Sequence, residues 1–202
     1  MRPMHRVGWT IALLLLGAGL AGCGGSSSGG SSNGAAVSTP QPPARGLPTL
    51  SASTLPTLDH TERGLDLPAL AAEGPKGGDL QAHLADWSYR TGSEREFKGG
   101  TPSQYLDVVS RTLVFGTAAG AHDFVEFVRD HPGTYVGVLK LARPVKADGR
   151  DGFLLVARGC GCHRETPLML YLASTGKRVT WLMANGPQVT PDSTLQLAAH
   201  AP

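Results

Sequence analysis

Cys160-Gly161-Cys162-His163 is the one stretch of this 202-residue chain in which several reactive groups stand side by side. Two thiols one residue apart can pair as a disulfide, hold a soft metal with an imidazole, or cycle between thiol and disulfide. Their spacing puts the Cα atoms near or below the roughly 6.8 Å limit for a bridge. Gly159 and Gly161 supply the backbone freedom to bend there. Such a bridge closes almost no loop, so its entropic contribution is small. As ligands, Cys160, Cys162 and His163 suit zinc or Cu(I), with His122 or His131 as a distant fourth group. No second ligand cluster accompanies them. A redox pair wants its nucleophilic thiol at a helix N-terminus, whereas Thr166-Pro167 and a strand-like run follow here. An oxidising compartment would favour the disulfide, Cys160 to Cys162.

Other chemistry is sparse. The chain has no G-x-S-x-G elbow, no P-loop, no G-x-G-x-x-G after a strand and no H-E-x-x-H. His122, Asp123 and Glu126 share the polar side of a helix-like stretch and read as a solvated face. Glu94, Glu96 and Lys98 alternate along a strand-like run with Arg95 and Phe97 between, which reads as an exposed edge. No residue stands out as catalytic or cofactor-binding, and no cofactor is expected. The formal charge of +2 is too small for a nucleic-acid binder. A non-enzyme is expected.

The N-terminus supplies the compartment. Arg2, His5 and Arg6 precede an apolar run from Trp9 to Leu20 and then small residues, the layout of a secretory signal. The run falls short of the roughly 20 residues that cross a bilayer. Leu20-Ala21-Gly22-Cys23 resembles the lipobox of bacterial lipoproteins, an apolar residue and two small ones before a cysteine. The resemblance implies cleavage after Gly22, a diacylglycerol thioether on Cys23, and acyl anchoring on the outer side of the cell membrane. Gly24 in place of Asp carries no inner-membrane retention signal of the Gram-negative kind. Losing Arg2 and Arg6 leaves 16 basic against 16 acidic residues, so the lipid is expected to do the anchoring.

Residues 24–46 hold six Gly, six Ser, three Pro and one charge, too little apolar surface to offset ordering entropy. Leu47-Pro48-Thr49-Leu50 then recurs as Leu55-Pro56-Thr57-Leu58, expected to extend the tether in polyproline form or to serve as a docking motif. A helical turn near Pro68 and a break at Gly74–Gly78 follow. The expected division is a leader at 1–22, an anchor and disordered tether at 23–78, and one domain at 79–202.

Within that domain Asp79 can cap a short helix bearing Leu80, Leu84 and Trp87, although the same stretch also alternates like a strand. Trp87–Lys98 reads as a strand pair broken near Thr91-Gly92-Ser93, and Asp107–Phe115 as a strand. Thr117 caps a helix whose stripe is Ala121, Phe124, Val125 and Val128, stopped by Pro132-Gly133. Strands follow at Tyr135–Ala142, Gly152–Arg158, Leu168–Ala173 and Arg178–Ala184, with hairpin residues at Asp148-Gly149 and Ser174–Lys177. A terminal helix runs from Pro191 to Ala199, capped by Thr190. The expected class is α+β, an antiparallel sheet of about five to seven strands with helices packed on one face. Phe115-Gly116-Thr117-Ala118-Ala119-Gly120-Ala121 and the Trp181 strand before Asn185-Gly186-Pro187 resemble small sensor-type lipoprotein domains of high-GC Gram-positive bacteria. That resemblance implies a non-catalytic extracytoplasmic domain with a protein or envelope ligand; a metal-handling or thiol-redox lipoprotein is the alternative.

Overall fold

The computed structural model describes residues 47–75, 79–99, 104–158 and 166–202. Cys23, Cys160, Cys162 and His163 lie outside the described residues, as does the segment 24–46.

The fold is α+β. Seven strands, β1 (Asp59–Leu65), β2 (Tyr89–Lys98), β3 (Asp107–Phe115), β4 (Val138–Ala147), β5 (Arg150–Arg158), β6 (Pro167–Thr175) and β7 (Arg178–Asn185), form one sheet in the order β1-β2-β3-β7-β6-β5-β4. Every neighbouring pair is antiparallel. The chain crosses from β3 to the far edge through α3 (Ala118–Asp130) and α4 (Pro132–Val136), then returns by hairpins until β7 pairs with β3. Asp148 and Gly149 have φ of 50° and 74°, the left-handed pair a two-residue hairpin requires.

Both sheet faces are covered, which is why β6 reads as continuous apolar sequence. Leu168, Leu170 and Leu172 enter a core beneath α1 (Leu67–Ala71), α2 (Leu80–Asp86), α3 and α4. Met169, Tyr171 and Ala173 enter a second core with Leu197 and Ala198 of α5 (Pro191–His200). The expectation of helices on one face is thus corrected: α5 packs behind the sheet.

Local chemistry sets several elements where the sequence put them. The Thr117 hydroxyl accepts from the Gly120 amide, and Ala121, Phe124, Val125 and Val128 are buried along α3. A Cβ on Gly120 would stand 2.1 Å from the Trp87 carbonyl oxygen, so the small-residue run lets α3 start against the end of α2. Thr190 and Ser193 form a reciprocal capping box on α5. Asp79 caps α2, resolving that stretch as helix. Two expectations fail. Trp87–Lys98 is no strand pair: β2 runs unbroken through Gly92, where a Cβ would meet Leu113 at 2.8 Å, so the glycine serves packing and not a turn. Pro132 opens α4, a position where its missing N–H costs nothing, and β4 therefore starts three residues later than Tyr135.

The larger correction concerns the domain boundary. Residues 47–75 belong to the fold. β1 pairs with β2 over its full length, from Asp59↔Lys98 to Leu65↔Gly92. Leu50 and Leu58, the closing residues of the two Leu-Pro-Thr-Leu repeats, are buried in the second core. The strap that carries them bonds to the sheet through side chains: Leu50 N donates to Ser110 Oγ at 2.9 Å and Thr112 Oγ1 to the Pro48 carbonyl at 2.5 Å. Arg95 adds a 2.5 Å bond to the Leu50 carbonyl.

Candidate functional site

Two places concentrate functional groups. The first is a row across β1, β2, β3 and β7 on the face that α1–α4 cover, set by register: Arg63↔Glu94, Glu94↔Arg111 and Arg111↔Trp181. Glu94 binds Arg63 and Arg111, each at 2.5 Å, and Glu73 after α1 closes the ring at 2.9 Å and 2.6 Å to the same arginines. Burial alone would raise the Glu94 carboxyl, but the Arg63 hydrogen bond and the Arg111 charge outweigh it and hold the group below the usual range. Arg111 also lies 5.0 Å over the Trp181 ring, on whose edge Tyr135 stacks at 5.3 Å. Burial, with the Glu73 charge, pushes the Tyr135 phenol up to about 12. The Tyr135 hydroxyl and the Trp181 indole nitrogen have no hydrogen-bond partner among the described residues. With two arginines against two carboxylates, this ring is neutral and closed.

The second place is open. A groove of about 250 Å³ runs between α3 and the β4–β5–β6 part of the sheet, lined by Val125, Pro144, Phe153 and Ala173 with His122, Asp151 and Ser174 among the polar members. Arg129 stacks 5.2 Å over Phe153 and is held by Glu126 at 2.5 Å. An apolar floor with a few polar groups is the usual make-up of a small-molecule site, here just below the usual size range. Among the described residues no hydrogen bond or ion pair joins His122, Asp151 or Ser174 to one another, so no base-to-nucleophile relay is assembled there. No group of three or more His, Cys, Asp or Glu able to hold a metal occurs among the described residues.

No protein-family model matches the chain, and no curated protein matches it. A solved structure, the extracellular domain of PknH from Mycobacterium tuberculosis, is similar at a TM-score of 0.46 and 16% identity, covering 74% of this chain and 86% of that one.

The residues singled out in the sequence scatter. His122 reaches the groove, while His131, at the end of α3, stacks on Phe127 at 4.2 Å. They lie nine residues apart, about 13 Å along the helix axis, and the metal reading asks for only one of them. Asp123 is exposed, and Glu126 is committed to Arg129. The supposed edge of Glu94, Glu96 and Lys98 is corrected: β1 lies outside β2, and Glu94 is only 6% exposed. Lys98 alone of the three stays exposed, and it pairs with Glu96 at 3.3 Å. Near it, burial and then the Glu96 charge raise the Asp107 carboxyl. Sequence inspection missed the groove because its lining comes from three strands and a helix far apart in the chain. The ring is not visible in the sequence because β1 reads there as part of the tether.

Proposed function

We propose that the mature protein is a lipid-anchored, extracytoplasmic binding module without catalysis of its own. The observation that carries the binding role is the open groove beside α3, with its floor of Val125, Pro144 and Phe153 and its rim of His122, Asp151 and Ser174. A thermal-shift screen of small envelope-derived molecules should give hits that a Ser174→Trp change, plugging the mouth from a half-buried position, abolishes. Hits that survive this change, or none at all, would remove the groove from the account.

Placement outside the cell rests on the leader and on Leu20-Ala21-Gly22-Cys23. Intact mass of membrane-extracted protein should show residues 1–22 gone and acyl mass on Cys23. Cys23→Ser should release the chain or leave the precursor uncut; unchanged processing and retention would refute the anchor. The first described residue of the fold is Leu47, 24 residues after Cys23.

The adjacency of Cys160, Cys162 and His163 favours a second reading, a metal-handling or thiol-redox lipoprotein. Under the first reading Cys160 and Cys162 form one bridge, air-prepared protein shows no free thiol, and changing both to Ser costs about 1–2 kcal/mol, below the usual cost of losing a disulfide. Under the second, alkylation finds thiols only after a chelator is added, and stability falls with metal removal.

A further inference from the structure

Among the described residues the large hydrophobic side chains left exposed are Val138 and Leu141, at 75% and 49%, and both lie on the edge strand β4. Register puts them on one sheet face. Val138 stands opposite Arg158 and Leu141 opposite Val156, with Arg143 opposite Leu154 along the same row. Leu154 and Val156 belong to the second core, so this is the face that α5 covers elsewhere. Arg143 and Arg158 are exposed there, and Lys140 sits in the bulge between Leu139 and Leu141. β4 carries Lys140, Arg143 and Lys146 and no acidic residue; the Asp151 opposite is taken by Lys146 at 2.9 Å.

Pro144 and the bulge blunt this edge as a template for another strand, so pairing with a β-segment is not what the strand is built to accept. Apolar side chains ringed by arginine and lysine instead match the interface of an anionic bilayer, where the chains enter the headgroup layer and the cations meet its charge. We propose that the β4 edge is a membrane-docking surface: Val138 and Leu141 insert at the lipid interface while Lys140 and Arg143 contact acidic headgroups. The bilayer's proximity rests on the anchoring proposed above; the surface itself does not. With the lipid anchor proposed above the local lipid concentration is high, so a weak contact is enough to lay the domain on the membrane. Docking through β4 would fix which way the groove faces, since Pro144 and Val145 of the same strand line it.

The test uses the chain from residue 23 onward bearing Cys23→Ser, so no lipid contributes and failure of the anchor cannot mimic failure of the surface. Flotation with vesicles of phosphatidylglycerol and phosphatidylcholine, against phosphatidylcholine alone, should show binding to the anionic vesicles that 0.5 M salt reverses, a concentration whose Debye length is about 4 Å. Each cation near the surface multiplies binding about fivefold, so Lys140→Glu with Arg143→Glu should weaken it by about 25-fold or more. Val138→Ser with Leu141→Ser should weaken it severalfold at unchanged melting temperature. Lys177→Glu, on the exposed β6–β7 turn, should leave it intact. Equal binding to neutral vesicles, indifference to the β4 changes, or no binding by the parent chain would overturn the proposal. So would a concentration-dependent dimer that Val138→Ser with Leu141→Ser dissociates, which would make a second copy the occupant.

Discussion

A chain begun at Asp79 should fail to melt cooperatively, whereas one begun at Leu47 should melt in a single transition. The shorter fragment lacks β1 and α1, and with them Leu50, Leu58, Leu65 and Leu70, each no more than 8% exposed. Burying one leucine contributes roughly 1.5–3 kcal/mol, so the four together rival the roughly 5–15 kcal/mol net stability of a typical domain. Their loss also bares Phe97 and Tyr89, now fully and nearly fully buried, and turns β2 into an open edge prone to pairing between molecules. Glu94 would lose Arg63, and Arg111 would lose Glu73. Circular dichroism melts of the two fragments decide the point, with size exclusion to detect aggregation. Equal melting temperatures would return residues 47–75 to the tether. Limited proteolysis should agree: residues 47–75 should resist cleavage, since β1 is paired along its full length and Leu50 and Leu58 are buried.

What the sequence revealed and what it hid follow from how each element is stabilised. α3 advertises itself, since Thr117, the Ala121–Val128 stripe and the residues after Asp130 are local signals read within one stretch of chain. The hairpins at Asp148-Gly149 and Gly176 are legible for the same reason, with positive φ at the residues that best tolerate it. β1 is the opposite case. Asp-His-Thr-Glu-Arg-Gly-Leu has no apolar alternation because one neighbour of the strand is water, and its partners for Glu62 and Arg63 are side chains on β2. Pairing like that is visible only once β2 is beside it. The Leu-Pro repeats misled for a related reason: each inserts one buried leucine per eight residues, too sparse a signal to distinguish from a spacer. Of the candidate sites, His122 reads as a polar helix residue, but the groove it edges exists only where α3 faces residues of β4, β5 and β6.

Removing Glu94 tests whether the charged row is a structural tie. Glu94→Ala leaves Arg63 and Arg111 without their shared acceptor. Arg63, 42% exposed, can turn to water; Arg111, at 9%, cannot, though it keeps Glu73 at 2.6 Å. Stripping one partner from a buried pair costs about 3–5 kcal/mol, and the surviving Glu73 contact places the expectation at the lower end. The double change Glu94→Met with Arg111→Met should cost less than the sum of the two single changes. It removes both buried charges and leaves Arg63 and Glu73, 2.9 Å apart, as a complete pair, with the Arg111 contact to Trp181 as the remaining loss. Urea melts of the four proteins give the coupling directly, and additive losses would contradict a tied row. Acid supplies an independent readout. The folded pKa of Glu94 is depressed, so its contribution is complete above the unfolded value near 4.3 and fades as pH falls through the folded one. Glu94→Gln cannot titrate, so its stability should fall less steeply than the parent's below about pH 4, and the gap between them should narrow there. A gap that stays constant down to pH 2 would mean that the carboxylate charge of Glu94 is not what holds Arg63 and Arg111 in place.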